Sequence, residues 1–173
     1  PNNEYSVPYM WGTVGLIYNT KMVDEEITSW SALFDPKYAG DILMFDNSRD
    51  AMGIALKYLG YSQNTTDEAE LQEAYLLLKE QKEIVQCYVM DQIFDKLEGG
   101  EAAMGPYYAG DYLSMKENNP DLAFVVPEEG SNMYTDFMCI PKGARNKENA
   151  EIFINYMCTV DVSVANMDVT GYT

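Results

Sequence analysis

The sequence contains no histidine, which removes the commonest general base and the commonest metal ligand together. Basic residues are also scarce. Eleven Lys and Arg stand against 28 Asp and Glu, a formal charge of −17. Such a field repels nucleic acid and anionic lipid and draws cations inward, so no nucleic-acid partner is expected. Three cysteines, Cys87, Cys139 and Cys158, lie far apart without CxxC spacing, each in an apolar stretch, and read as buried free thiols. No apolar run approaches the roughly 18 residues of a membrane span. No basic stretch leads into an apolar one at Pro1, so no leader is visible. Pro-Asn-Asn and Gly-Tyr-Thr are unlike natural ends, however, and this lack does not argue for the cytoplasm.

What is present is a chain of 173 residues, 47% hydrophobic and 23% charged. That suffices for one sizeable core with room for a small appended unit. Val14–Tyr18 and Asp41–Phe45 read as strands. Ser29 caps a short helix through Leu33. A helix follows from about Arg49 to Leu59, where Gly60 supplies the left-handed stop. Thr65 with Glu68 forms a capping box for a helix from Asp67 to about Gln81, whose Leu71, Ala74, Tyr75 and Leu78 share a core-facing side. Ile84–Val89 is a strand, Gln92–Leu97 a helix, Ala102–Met104 a short strand and Asp111–Lys116 a helix. Two more strands, Leu122–Val126 and Tyr134–Ile140, are closed by Pro127 and Pro141. Asn146 and Asp161 cap the last two helices.

Strands alternating with helices predict an α/β fold, a central sheet with helices on both faces. Ligands of such sheets bind beyond the carboxyl ends of the strands. That rule selects Asp46–Asp50, Met90-Asp91 and Tyr107-Tyr108, segments rich in carboxylates and tyrosines. Carboxylates suit ammonium groups and aromatic faces suit methylenes, a combination fit for an organic cation.

Five segments carry a resemblance: Val7-Pro-Tyr-Met-Trp-Gly-Thr13, Thr28-Ser-Trp30, Leu33-Phe-Asp-Pro-Lys-Tyr-Ala-Gly40, Leu59-Gly-Tyr-Ser-Gln-Asn-Thr-Thr-Asp67 and Ile140-Pro-Lys-Gly-Ala-Arg-Asn-Lys147. In order and with few gaps, they resemble the spermidine/putrescine-binding proteins of ABC importers. The resemblance implies a type II periplasmic-binding-protein fold, a two-lobed receptor that closes on a polyamine. It also implies an extracytoplasmic location, periplasmic or lipid-anchored, and ABC permease subunits as partners. Residues 1–12 would be an interlobe crossing, 13–134 the second lobe, and 135–173 a return strand and helices that belong with a first lobe, mostly absent here. Family site positions fall on Asn47, where a carboxylate is expected, on Asp50, near Tyr107, and on Tyr134, Asp136 and Tyr172. Asp46 substitutes for Asn47 if the loop register differs by one.

Each position also has a plainer reading. Asp46 and Asp50 stand at a strand–helix junction, where an acid satisfies free N–H groups and the helix dipole. That dipole disfavours a cation, so more than one acid is expected in the pocket. Tyr107 is one of 14 tyrosines to place, and a phenol at a cleft edge finds the hydrogen-bond partner it needs. Asp136 lies between apolar residues of a strand, and an unpaired acid there is costly, so a cationic partner is expected. No catalytic residue, cofactor or metal is expected. Two alternatives start from the strand ending in Asp46. A metal-dependent phosphatase needs a second Asp two residues on, where Ser48 stands. A carboxylate metal site from Asp46, Asn47 and Asp50 lacks the spacing of a calcium loop. Finally, the apolar face of Phe153, Ile154 and Met157 predicts that the chain associates with itself.

Overall fold

A computed structural model describes residues 4–172. In chain order the elements are β1 (Val7–Asn19), two short 3-10 turns (Trp30–Phe34, Pro36–Tyr38), β2 (Ile42–Phe45), α1 (Ser48–Tyr58), α2 (Glu68–Gln81), β3 (Val85–Val89), α3 (Ile93–Glu98), β4 (Met104–Tyr108), α4 (Ala109–Asn118), β5 (Leu122–Val125), β6 (Met133–Met138), α5 (Lys147–Met157) and α6 (Val160–Thr170). They divide into two compact units: Thr13–Asn132, and the residues up to Gly12 with those from Met133 onward.

The first unit holds the mixed sheet. Its strands run in the order β3-β2-β4-β1-β5. β2 is parallel to β3 and β4, whereas β1 is antiparallel to β4 and β5. Ile42, Leu43, Met44 and Phe45 are all buried, as are Met104 to Tyr107. A strand with no exposed residue is covered on both faces of its sheet, the arrangement the alternation of strands and helices predicts. Trp30, Leu33, Leu16, Ile17, Ile93, Leu97 and Met115 complete one core.

Local chemistry explains most element boundaries, with corrections. Ser29 caps the first turn by accepting the Ser31 N–H, and Gly60 takes φ +82°, the left-handed stop expected after α1. α2 is capped by Asp67 rather than Thr65. Asp67 Oδ1 accepts from Ala69 N–H at 2.8 Å and Glu70 N–H at 3.4 Å, while Thr65 Oγ1 serves the preceding turn by accepting from Asp67 N–H. A charged acceptor directly before the helix wins over a neutral one two residues further out. Leu71, Ala74 and Leu78 pack against Ala55 and Leu56 as expected, but Tyr75 points outward and Leu77 takes part instead. Gln81 is buried at the end of α2, its Nε2 donating to the Leu33 carbonyl at 2.8 Å.

β4 starts at Met104 and runs through Tyr107-Tyr108, later than the Ala102–Met104 strand read from the sequence. The small residues Ala102 and Ala103 are buried lead-in, and the tyrosines end the strand rather than follow it. α6 is entered from Thr159, with Asp161 inside the first turn, and Asn146 makes no side-chain cap bond to α5.

In the second unit β6 pairs with β1. No residue of α5 or α6 is buried; Ile152, Phe153, Val160 and Val169 are exposed. The cysteines are free, but the expectation that they are buried fails. Cys139 and Cys158 are exposed and Cys87 is half-buried. Cys158 ends α5, a helix with no buried residue, whereas Cys87 packs partly against the core through β3. Among the described residues no helix is long and apolar enough to cross a membrane.

Candidate functional site

The carboxyl ends of the parallel strands β3, β2 and β4 bring three loops together, the place where sheets of this kind bind ligands. Asp46 leaves β2 with its N–H bonded to the Val89 carbonyl of β3 at 2.9 Å and its side chain exposed. Asn47 then caps α1. Its Oδ1 accepts the Arg49 N–H at 3.0 Å, which fixes the amide so that Nδ2 points at Asp50, 2.8 Å from Oδ2. Asp50 sits in the first turn of α1, half-buried.

Asp50 is the hub of the cluster. Besides Asn47, its Oδ2 accepts the Tyr108 hydroxyl at 3.0 Å, and its Oδ1 accepts Asn132 Nδ2 at 3.2 Å. Asn132 is itself locked. Its Oδ1 accepts the Val14 N–H at 3.0 Å and its carbonyl accepts the Thr13 hydroxyl at 2.6 Å. Asn132 is not among the residues the sequence motifs single out. The signal available was its place at the end of a Gly130-Ser-Asn turn just before β6, a setting where an asparagine side chain commonly bonds backbone.

The two tyrosines that end β4 divide their roles. Tyr107 is only 3% exposed, and its hydroxyl donates to Asp91 Oδ1 at 2.9 Å. Burial, then the bond to Asp91, push its phenol well above the ordinary range. Tyr108 is half-buried and faces Asp50. Phe45 lies against both rings, with centroids 5.8 Å from Tyr107 and 5.5 Å from Tyr108, and Phe94 meets Tyr107 edge-on. Phe45 and Tyr107 are buried, so Tyr108 is the ring left half-open beside the carboxylate, a pairing that suits an alkyl cation. Beside it, a crevice along α1 is lined by Asp50, Asn132, Arg49, Lys57 and Gln63. Two cations, Arg49 and Lys57, stand in that wall near Asp50 and Asn132.

The second unit carries the remaining expected residues. Tyr134 and Tyr172 converge on Gly12: a Cβ there would stand 2.5 Å from Tyr134 Oη and 3.1 Å from Tyr172 Cδ1. Tyr172 follows Gly171, which ends α6 at φ +72°. Asp136 is exposed on β6, so the argument that burial obliges it to hold a cationic partner does not apply to it. Among the described residues no group of three or more Cys, Asp or Glu side chains is placed to hold a metal ion.

Comparison with known proteins agrees with this architecture. The family described as bacterial extracellular solute-binding protein matches residues 1–165. The spermidine/putrescine-binding periplasmic protein of Salmonella typhimurium is 36% identical over 99% of the chain and 50% of its own length. Among solved structures, a putative spermidine/putrescine ABC transporter protein from Listeria monocytogenes is 40% identical with a TM-score of 0.93, over 99% of this chain and 53% of that one. The TpPotD lipoprotein of Treponema pallidum is 31% identical with a TM-score of 0.92, over 99% of this chain and 55% of that one. The fold is that of a type II periplasmic-binding-protein lobe, and the chain spans about half the length of the curated relatives it matches. On a family match over nearly all its residues, the chain belongs to the bacterial extracellular solute-binding proteins.

Proposed function

We propose that this protein captures a polyamine, spermidine or putrescine, outside the cytoplasm and delivers it to the permease subunits of an ABC importer. It binds and releases its ligand without chemistry. The observation that carries the reading is Asp50, a half-buried carboxylate that accepts from three neutral donors, the Tyr108 hydroxyl among them. A net charge of −17 favours the approach of a polycation. Relatives at 36% and 31% identity are named as a periplasmic polyamine-binding protein and as a lipoprotein, which supports an extracytoplasmic place.

Asn47 is proposed to contribute as a donor and to hold Asp50 rather than grip an amine. Tyr107, Asp91 and Asp46 are proposed as supports at the strand ends, and Tyr134, Asp136 and Tyr172 as ligand contacts of the second unit. Calorimetric titration of the receptor, at the full length of its relatives, with spermidine, putrescine and calcium tests the reading. Saturable heat with a polyamine is the expected result. Heat with calcium alone, or turnover of a chromogenic phosphate, would replace it with a metal site or a hydrolase.

We also propose that the chain by itself associates through α5 and α6, whose Ile152, Phe153 and Val160 are 67%, 58% and 76% exposed. Light scattering across a concentration series checks this. A monomer at every concentration overturns it.

A further inference from the structure

The donors around Asp50 are not spread evenly over its two oxygens. A carboxylate offers about four acceptor positions, two on each oxygen. Oδ2 receives both Asn47 Nδ2, at 2.8 Å, and the Tyr108 hydroxyl, at 3.0 Å. Among the described residues, Oδ1 receives Asn132 Nδ2 alone, at 3.2 Å. Neither asparagine can turn its oxygen toward Asp50, because each oxygen already accepts a backbone N–H, from Arg49 and from Val14. Tyr108 must be the donor to an ionised carboxylate. Two internal bonds therefore close Oδ2, and the third leaves one position on Oδ1.

A guanidinium binds a carboxylate best as a fork, with one N–H to each oxygen. A closed Oδ2 denies it the second prong. An ammonium is a compact charge that needs a single acceptor, so the one position on Oδ1 serves it fully. We propose that the Asn47–Asp50–Tyr108 arrangement makes this site select an alkylammonium end over a guanidinium end. This rests on the polyamine reading above and narrows it. Asn132 is a positioning residue: it holds the carboxylate in this orientation without blocking the oxygen that sets the choice.

The structure also separates the variants that test it. Tyr108→Phe keeps the ring against Phe45 and removes one donor from Oδ2, which opens the fork. Asn132→Ala opens a second position on Oδ1 but leaves Oδ2 closed. The measurement is the ratio of dissociation constants for 1,4-diguanidinobutane and putrescine, two ligands that share a four-carbon chain and carry guanidinium or ammonium at both ends, in the full-length receptor. Loss of one charge-assisted hydrogen bond corresponds to about tenfold in affinity, so the wild-type receptor is expected to prefer putrescine by about that factor. Tyr108→Phe is expected to bring the ratio near unity, and Asn132→Ala to weaken both ligands by a similar factor while keeping the ratio. A purely structural role for Tyr108 would lower both affinities together and leave the ratio unmoved. Wild-type binding of 1,4-diguanidinobutane as tight as putrescine overturns the inference, as does an unchanged ratio in Tyr108→Phe or a ratio in Asn132→Ala that moves as far as in Tyr108→Phe. Binding of neither ligand removes the polyamine reading itself, a result distinct from any of these.

Discussion

Tyr107 donates its hydroxyl to Asp91 Oδ1 at 2.9 Å from a ring that is 3% exposed, joining the end of β4 to the loop after β3. The bond persists only while the phenol keeps its proton. A tyrosine in the unfolded chain titrates near pH 10. In the folded chain burial, then Asp91, hold it well above that. Above pH 10 the unfolded state therefore binds fewer protons than the folded one, and stability falls as pH rises, by about 1.4 kcal/mol per unit from this group. Tyr107→Phe is expected to be about 1 kcal/mol less stable than wild type at pH 8, where the bond is intact. Near pH 11 that difference should have vanished. Urea unfolding at the two pH values checks it; a constant gap would show that Tyr107 does not carry the linkage.

Asp50 collects three donors, and under the proposed function its charge is the part of the site that an ammonium would read. Asp50→Asn is expected to weaken putrescine binding by the full-length receptor about 10- to 100-fold, the worth of one hydrogen bond to a charged group. Asp95→Asn removes the same charge from an exposed position on α3 and should change affinity less than about threefold, since solvent screens it. Equal losses in the two variants would mean that the overall acidity, rather than Asp50, attracts the ligand.

Two glycines of β1 are needed for close approach, and they differ in what stands against them. A Cβ at Gly15 would run into the Phe124 ring and stand 2.5 Å from the Val125 carbonyl, a backbone atom that cannot yield without parting β1 from β5. At Gly12 the obstacles are the ends of the Tyr134 and Tyr172 side chains. Gly15→Ala is expected to cost stability at the upper end of about 1–3 kcal/mol, with Gly12→Ala at the lower end because side-chain atoms yield more readily than a backbone carbonyl. Gly12→Ala should also quench or shift the tyrosine fluorescence of the second unit more than Gly15→Ala does. Chemical denaturation and fluorescence of both variants test the ordering.

The mixed sheet was legible because its strands carry strong local signals. Ile42–Phe45 is too short and apolar to be anything but a strand buried on both faces, and Gly60 and Ser29 punctuate the chain as their chemistry requires. Periodicity could place Leu71, Ala74 and Leu78 on one side of α2 but could not exclude Tyr75, whose fate depends on where α1 ends. The loops at the strand ends were found from the rule for α/β sheets, and Asp50 was among the residues picked. The division of labour between Tyr107 and Tyr108 was not legible. Adjacent residues on a strand face opposite ways, and a one-residue shift of β4 exchanges them. Asn132 was invisible for a different reason: it lies 82 positions from Asp50 in the chain, and no local pattern links them.

The cysteines give a test in which the sequence reading and the structure predict different results. Apolar neighbours argue for three sheltered thiols, whereas the structure exposes Cys139 and Cys158 and half-buries Cys87 in β3. Thiol reaction with an aromatic disulfide reagent requires access to the sulfur. The native chain at pH 8 is therefore expected to release two equivalents quickly and a third about tenfold more slowly, with all three reacting at the fast rate in urea. Cys139→Ser and Cys158→Ser should each remove one fast equivalent, and Cys87→Ser the slow one. A native chain in which no thiol reacts before unfolding would place all three in shelter and restore the reading from local hydrophobicity. It would also mean that the second unit is covered by another copy of the chain, which light scattering on the same sample would reveal.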